Sequence, residues 1–572
     1  MKKYLFIALA ALGFAACADK NEANGPVQNA EMEESYIAIN LMAADNDTRA
    51  ATDSYGYEDG TDAERAVKTA YFFFFDENGN PFNVTGAPAT APGGGKNHLS
   101  LTISDATTPG MPNVSDIKEA VLILNTYKGI YPKQIVAVLN WVPTADKAYT
   151  LEELSDTLAT IGNDGAGYVM SNSVYMDSSN KMVDAVPLTA ANIKTTAKDA
   201  TDDPINIYVE RIAAKVVLTA SGKDAENNIF STKTTSQLVT LGEITATPVY
   251  VQLHGWELYN DYATSSLIKN INVAWTIDNI GFNWNDYSFF RCYWAQSQAT
   301  DLADKFAWKY TDEEMAKNGF QTNYGFAVVT AVDSRTTYTY CGENTREWSE
   351  GNDFRTKVIL KGQLMQKNGD NYEQLELASW YGNEYAGKDN LKIAVANSLA
   401  YTLFSSADGE TFSSIKVEDI ECVDNIAGLE SYQVGFQLSE TGKAKTWYKY
   451  SSEKGYEVFG DSGVSGDNAA KANAYLATVE PALLYTNGQT YYIVDIKHLG
   501  RADSASEYGV VRNHVYQIDI ESIKGYGSPV YSGFDYILTP PEYPEDYEDS
   551  YVAARINVLS WKVVQQGVDI VQ

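Results

Sequence analysis

The stretch INIYVERIAAKVVLTA, residues 205–220, decides how this chain is divided. It is rich in isoleucine and valine, which are enriched in strands, so it predicts one long strand or a pair of strands. SGKDAENN, residues 221–228, follows directly and is polar and typical of turns. We interpret residues 221–228 as the boundary between two domains.

Strand-like runs lie on both sides of this stretch. In AVKTAYFFFFDENGNPF, residues 66–82, an aromatic run leads into Asn78-Gly79, a pair that suits a tight turn with positive φ. The other runs are VLILNTY (121–127), QIVAVLNW (134–141), INVAWTIDNIGFNW (271–284), YGFAVVTAV (324–332), TKVILKGQLM (356–365), TYYIVDIKHL (490–499) and HVYQIDIESI (514–523). Apart from TKVILKGQLM, residues 341–473 are loop-rich in pattern, and we expect insertions there.

One helix is predicted among the strands, in TLEELSDTLATI, residues 150–161. Thr150 and Glu153 have capping-box spacing, and four apolar residues then follow at helical spacing: Leu151, Leu154, Leu158 and Ile161. A chain of 572 residues is too long for one hydrophobic core. The sequence therefore predicts a mainly β protein with two β-sandwich domains in tandem and one or a few short helices.

The charge of the chain limits its partners. Its 43 basic and 75 acidic residues give a formal net charge of −32. Such a surface repels phosphate backbones, so nucleic acid is not an expected partner. After the amino-terminal signal, no run of about 18 apolar residues predicts a membrane-spanning helix.

Residue patterns that carry chemistry are scarce. The four histidines, His98, His254, His498 and His514, lack zinc-site spacing and are interpreted as packed or surface residues. DENGN (76–80) lacks the glutamate of a calcium loop, GGGK (93–96) lacks the pattern of a phosphate-binding loop, and no GxSxG occurs. The sequence therefore predicts neither an enzyme nor a cofactor.

Three cysteines remain after the signal: Cys292, Cys341 and Cys422. An odd number in so long a chain does not form a disulfide framework, so we interpret them as small buried apolar residues. One bridge among them stays open and cannot be assigned from the sequence.

The amino terminus combines a signal with an early strand. Lys2 and Lys3 precede an apolar run that ends at Cys17, which resembles the lipidation site of bacterial lipoproteins. After a polar tether, YIAINLM (36–42) predicts a strand through its alternating residues Ile37, Ile39 and Leu41. AADNDTRAATDS (43–54) then reads as an exposed loop with a single arginine, Arg49.

The carboxyl terminus is a strand on an extended linker. TPPEYPEDYEDS (539–550) is rich in proline and acidic residues, which excludes a central strand. YVAARINVLSWKVVQQGVDIVQ (551–572) then predicts a strand that reaches the end of the chain and needs a partner. Its alternation changes parity, so the residues that would fill a groove stay open: Ile556, Val558, Leu559, Trp561, Val563, Val568 and Ile570.

Several segments, taken in order, resemble the fimbrillins, the type V pilins of Bacteroidia, and most closely their minor-fimbria shaft subunits. They are the signal ending at Cys17, YFFFFDENGNPF (71–82), VAVLNW (136–141) with the helix after it, GYVMSNS (167–173), VERIAAKVVL (209–218), VVRNHVYQIDIESIKGYGSP (510–529) and INVLSWKVVQQGVDI (556–570). The resemblance covers most of the chain and is weakest between residues 341 and 473.

The resemblance implies sandwiches of the transthyretin-like or Greek-key type and a polymerisation cycle at the cell surface. The precursor is exported as an outer-membrane lipoprotein with its first strand in its own sheet. An arginine-specific protease cuts after Arg49, leaving Ala50 as the new amino terminus, and the carboxyl-terminal strand of a neighbouring copy fills the vacated groove. The implied partners are copies of the same chain, pilus anchor and tip subunits, the protease, and host or bacterial receptors in adhesion and biofilm formation.

The resulting organisation has six segments: signal peptide 1–17, propeptide 18–49 with a removable strand at about 35–44, amino-terminal sandwich 50–222, carboxyl-terminal sandwich 223–538, linker 539–551 and donor strand 552–572. Arg65, which directly precedes the next strand, is the alternative cleavage site, and Trp561 could instead pack in its own subunit. Two alternative functions stay open: a pilus anchor or tip subunit, and a monomeric glycan-binding surface lipoprotein that uses exposed Tyr and Trp.

Overall fold

The computed structural model describes residues 32–44, 60–269 and 338–529, apart from short internal gaps, together with 551–560 and 562–566. Within these residues the protein is mainly β, as predicted. The predicted strands at 271–284 and 324–332 lie outside them. No helix of the described residues has the length and apolarity required to cross a membrane.

The strands of the amino-terminal part are β1 Met32–Ala44, β2 Ala70–Phe75, β3 His98–Leu101, β4 Ser104–Asp105, β5 Val114–Tyr127, β6 Gln134–Leu139, β7 Leu158–Thr160, β8 Met170–Asn172, β9 Tyr175–Met176, β10 Met182–Val183, β11 Val186–Pro187, β12 Ile205–Arg211 and β13 Ala213–Thr219. The strands that follow are β14 Ile229–Thr240, β15 Glu243–Tyr259, β16 Thr264–Ser266, β17 Tyr338–Gly342, β18 Lys357–Asn368, β19 Asn371–Gln374, β20 Leu377–Trp380, β21 Asn383–Ala386, β22 Leu403–Ser405, β23 Ser413–Ser414, β24 Ile420–Asp424, β25 Gln433–Leu438, β26 Trp447–Ser451, β27 Gly455–Val458, β28 Ala482–Tyr485, β29 Gln489–Asp495, β30 His514–Lys524, β31 Ser528–Pro529, β32 Tyr551–Ser560 and β33 Lys562–Gln566. The α-helices are α1 Asp62–Arg65, α2 Leu151–Ser155, α3 Ala197–Asp202, α4 Gly387–Leu399, α5 Glu440–Lys443 and α6 Asp467–Leu476.

The amino-terminal part is built on one sheet with the strand order β3-β2-β6-β8-β12-β1-β5-β4. One face carries a core that includes Ile37, Phe72, Leu122 and Ile207, all fully buried. On the opposite face of β2 and β6, Phe73 and Val136 pack with Leu154 of α2 and with Ile268. Both faces of the middle of this sheet are therefore covered, as the aromatic run 71–75 requires.

The stretch 205–220 forms a pair of strands rather than one. β12 belongs to the first sheet, whereas β13 lies between β17 and β30 in a second sheet. Only Ile212 separates the two strands, and it is fully buried. One continuous segment therefore joins the two sheets.

The second sheet, ordered β17-β13-β30-β32-β33, packs against a larger sheet that contains β14, β15, β18 and β29. Leu218 and Ile518 of the sheet that contains β13 and β30 pack against Val251, Leu360 and Val494 of the larger sheet in a shared core. Two sheets face each other across apolar side chains, which confirms the predicted β-sandwich architecture.

The region 341–473 has more regular structure than the sequence predicts. α4 and α6 pack on short strands around a core that includes Leu391, Phe436, Trp447 and Leu476. These strands have three to six residues and are joined by tight turns, so none presents the long alternating run by which a strand is recognised.

The helix predicted over 150–161 is shorter than expected. Its capping box is present, since Thr150 Oγ1 accepts from the Glu153 amide at 3.0 Å, but α2 ends at Ser155. Leu158 begins β7, whose backbone pairs with β16. Pairing with a strand about 105 residues away overrides the local helical spacing.

Candidate assembly site

The first strand lies in the interior of its sheet. β1 pairs antiparallel with β5 from Met32 opposite Tyr127 to Ala44 opposite Val114. On its other side it pairs parallel with β12, from Ile39 opposite Ile205 to Ala43 opposite Val209. Both edges of β1 are thus hydrogen-bonded, and we call the slot between β5 and β12 the groove.

Side chains of β1 contribute to the core. Ser35, Ile37 and Ala38 are at most 5% exposed, and Ile37 packs among the apolar residues of the first sheet. Ile39 and Leu41, the other two alternating apolar residues of the predicted strand, occupy paired backbone positions, but their side chains lie outside the described residues. Full burial of an isoleucine side chain stabilises the folded state by roughly 1.5–3 kcal/mol, so Ile37 alone contributes measurably to keeping β1 in its sheet.

The carboxyl-terminal strand is a hairpin at the end of the second sheet. β32 pairs antiparallel with β30, from Tyr551 opposite Lys524 to Ser560 opposite His514. The chain then folds back, and β33 pairs with β32. This corrects the expectation of one strand running to the last residue.

Among the candidate donor residues, Ile556, Val558 and Leu559 are paired backbone positions of β32, and Val563 is one of β33. Trp561, Val568 and Ile570 lie outside the described residues, as do Cys17, Arg49, Ala50 and Cys292. No placement is therefore given to the lipidation site or to the predicted cleavage site.

A cluster of buried polar residues surrounds the junction between β12 and β13. Glu64 of α1 is 1% exposed, and its Oε1 accepts from Lys215 Nζ at 3.0 Å and from Tyr340 Oη. Its backbone carbonyl accepts from Arg211 Nε at 2.7 Å. We call Glu64, Arg211, Lys215 and Tyr340 the Glu64 cluster.

The environment of Glu64 favours its charged form. Burial raises the pKa of this carboxyl, but the Tyr340 hydrogen bond, the Lys215 charge and the bond from the Thr61 amide together outweigh burial, so the pKa lies below its ordinary value. The pKa of Tyr340 is raised, mainly by burial and secondly by its hydrogen bond to Glu64. Sequence reasoning missed this cluster, although Thr61 and Glu64 have capping-box spacing and could have located α1.

The Arg-Asn pair of residues 512–513 ties the sheets together at the same junction. Arg512 is fully buried, and its Nε and Nη2 each donate to a carboxylate oxygen of Glu343 at 3.1 Å. Asn513 adopts φ +58°, its amide donates to the Ala213 carbonyl at 2.7 Å, and its Oδ1 accepts from Arg211 Nη1 at 3.1 Å. This pair is structural in its geometry and fixes where β30 begins.

The histidines and cysteines have packed or surface positions. His98, His498 and His514 are buried, and His254 is exposed beside Gln363. Cys341 is buried and Cys422 is half-buried, and burial raises the pKa of the Cys422 thiol to about 12. In the part of the chain that is described, no three His, Cys, Asp or Glu residues are grouped to hold a metal ion.

The carboxyl-terminal part matches a family. Residues 483–567 match the model described as the major fimbrial subunit protein type IV, fimbrillin, carboxyl-terminal region. The match runs from β28 through β33 and includes Arg512, Asn513 and the terminal hairpin. A search of curated proteins finds no match to the chain.

Solved structures with the same overall extent were also found. A fimbrilin from Porphyromonas gingivalis is 11% identical, with 92% of this chain and 98% of that chain covered and a TM-score of 0.34. The tip fimbrial protein of Porphyromonas gingivalis is 12% identical, with 91% of this chain and 99% of that chain covered and a TM-score of 0.27. A fimbrial assembly protein from Parabacteroides distasonis is 11% identical, with 75% of this chain and 100% of that chain covered and a TM-score of 0.27. At these scores the likeness carries no argument of its own.

The carboxyl-terminal part of this chain, residues 483–567, is therefore similar to the carboxyl-terminal region of the fimbrillins, which are fimbrial subunits.

Proposed function

We propose that this protein is the shaft subunit of a type V pilus and polymerises by donor-strand exchange. Its precursor is exported as a lipoprotein through Cys17 and is cut by an arginine-specific protease between Arg49 and Ala50. Release of the first strand opens the groove, and the carboxyl-terminal strand of another copy then occupies it.

The observation that carries the proposal is the position of β1 between β5 and β12. Removal of an interior strand leaves two rows of unpaired backbone groups and uncovers the core around Ile37. A strand from another copy can restore both the hydrogen bonds and the apolar contacts, which is the physical basis of β-augmentation.

The position of the terminal hairpin supports the second half of the cycle. Among the described strands, β32 is hydrogen-bonded to the body of the subunit through β30, and its other paired neighbour is β33 of the same hairpin. The acidic, proline-rich segment 539–550 precedes it and favours an extended linker. A strand at the end of a sheet on such a linker can reach another subunit at a lower cost than an interior strand can.

The test uses the purified full-length precursor and an arginine-specific protease. We expect SDS-resistant ladders whose subunits begin at Ala50. The matched control is Arg49→Lys, which keeps the charge but removes the cleavage site, and it should stay monomeric. Ladders from the Arg49→Lys protein, or cleavage at Arg49 without ladders, would show that the proposal is wrong.

Glycan binding is a second candidate function, and a surface of the fold favours it. Phe404, Phe412, Tyr448, Tyr450 and Tyr456 form a connected group of rings on the small sheet of β22, β23, β26 and β27, with centroids 3.7–6.0 Å apart. Tyr450 and Tyr456 are 39% and 41% exposed, whereas the opposite face of the sheet carries the buried Trp447. A protein that binds glycans as a monomer would give no ladder in the experiment above.

A further inference from the structure

We propose that Glu64 and Asn140 hold the Arg65–Ala66 peptide bond closed to arginine-specific proteases and thereby restrict maturation to Arg49. The inference deepens the proposed function, on which it rests, by assigning the residues that select one of two neighbouring arginines. Both arginines precede β2 and an alanine follows each of them. Side-chain identity at the bond therefore does not distinguish the two sites.

The chain on the amino-terminal side of the bond is held by the Glu64 cluster. Glu64, adjacent to Arg65, binds Lys215 and Tyr340 through its carboxylate and Arg211 through its carbonyl. These partners come from β12, β13 and β17. Withdrawal of Glu64 would leave the buried ammonium of Lys215 and the hydroxyl of the half-buried Tyr340 without this acceptor, which is costly for the buried charge.

The chain on the carboxyl-terminal side of the bond is held by Asn140. Its Nδ2 donates to the Ala66 carbonyl at 2.7 Å, and its Oδ1 accepts from the Lys68 amide at 2.7 Å. Gly167 allows this approach, since a Cβ there would lie 2.5 Å from Asn140 Nδ2 and 2.9 Å from the Ala66 carbonyl. Both sides of the bond are thus fixed to distant parts of the chain.

Proteolysis requires a segment of several residues to leave its contacts and become extended, so its rate follows the population of the opened form. Arg65 also lies in a helical turn closed by the Thr61 and Glu64 capping box. Its side chain is 31% exposed and, among the described residues, forms an ion pair with Asp62, which is itself 97% exposed. The Arg65 side chain is therefore partly exposed to solvent, but the peptide bond after it is held in place.

The test measures the initial rate of cleavage after Arg65 and after Arg49 by peptide mapping of the full-length protein treated with an arginine-specific protease. In the wild-type protein we expect cleavage after Arg49 with Arg65 intact. Glu64→Gln, Asn140→Gly and their combination should each raise the Arg65 rate, the double variant by roughly 10- to 100-fold. Glycine is chosen at 140 because Asn140 has φ +59°, which an alanine would strain.

The matched control is Asp62→Ala, which removes only the exposed ion pair to Arg65 and should change the rate less than about twofold. Arg512 is fully buried, so cleavage after it reports global unfolding. If Glu64→Gln or the double variant is cut after Arg512, the Arg65 rate of Asn140→Gly alone is compared with that of the wild-type protein. Rapid wild-type cleavage after Arg65, or variants that leave its rate unchanged with Arg512 intact, overturns the inference. An Arg49 that is not cut while Arg65 stays protected contradicts the proposed function alone.

Discussion

Glu64 shows what one buried carboxylate does in this protein. It connects α1 to Lys215 and Tyr340, which lie 151 and 276 positions further along the chain. Such pairs do not follow from local spacing, since each member is an ordinary charged or aromatic residue in its own segment. Residues 36–42, by contrast, were predicted as a strand from the alternation of Ile37, Ile39 and Leu41, and the structure has strand β1 at Met32–Ala44.

The lowered pKa of Glu64 makes a prediction about acid stability. Its pKa in the folded protein lies below the value of about 4.3 in an unfolded chain. The stabilisation is therefore complete above the unfolded pKa and is lost as the pH falls through the folded pKa. We expect Glu64→Gln to lower the free energy of unfolding near pH 7 and to reduce its loss between pH 5 and pH 3.

Urea titrations of both proteins at pH 3–7 measure this difference. The control is Glu152→Gln, which alters an exposed carboxyl in the first turn of α2. A Glu64→Gln protein that loses stability as steeply as the wild type on the acid side would contradict the prediction.

At the scale of elements, strand existence was easier to predict than strand partners. The runs at 71–75, 134–139 and 514–523 are strands as expected, and Gly79 adopts φ +79° in the predicted turn. The parallel pairing of β1 with β12 joins segments more than 160 residues apart, and no local pattern reports it. The predicted extent of helix α2 was wrong for the same reason, because Leu158 pairs with the distant strand β16 instead of continuing the helix.

The hold of β1 in its groove can be weakened at a single position. Ile37→Ala removes a fully buried side chain and should lower the stability of the β1 pairing by about 2–4 kcal/mol. We expect faster amide exchange in Ile205–Val209, the segment of β12 that pairs with β1, and faster ladder formation after cleavage.

Hydrogen exchange with mass spectrometry gives the first readout and time-resolved gels the second. Val121→Ala is the control, because Val121 lies on β5 beside β1 with 36% of its surface exposed. Equal exchange in the Ile37→Ala and wild-type proteins would show that Ile37 does not hold the strand.

At the scale of the whole molecule, the proposed acceptor and the proposed donor lie on different sheets. The groove belongs to the sheet that contains β12, and the terminal hairpin belongs to the sheet that contains β13 and β30. Deletion of Arg555–Gln572 removes the candidate donor and leaves the groove. We expect a folded monomer that does not form ladders with itself after cleavage.

The same truncated protein should act as a chain terminator in a mixture. It can accept a strand but cannot donate one, so each incorporation ends growth on one side. Ladders of the wild-type protein should shorten as the truncated fraction increases, measured on SDS gels. The control is the truncated protein that also carries Arg49→Lys, which can neither accept nor donate a strand and should leave the ladder length unchanged. Unshortened ladders, or ladders from the truncated protein alone, would remove the donor assignment.

The single residue between β12 and β13 has a mechanical consequence. In a fibre assembled by strand exchange, tension enters a subunit along the groove wall at β12 and leaves through β30, which is paired with β13. Because Ile212 alone joins β12 to β13, the load passes along covalent backbone between the two sheets. Strands pulled along their own direction share force across all their hydrogen bonds at once, so the fibre resists shear rather than opening bond by bond.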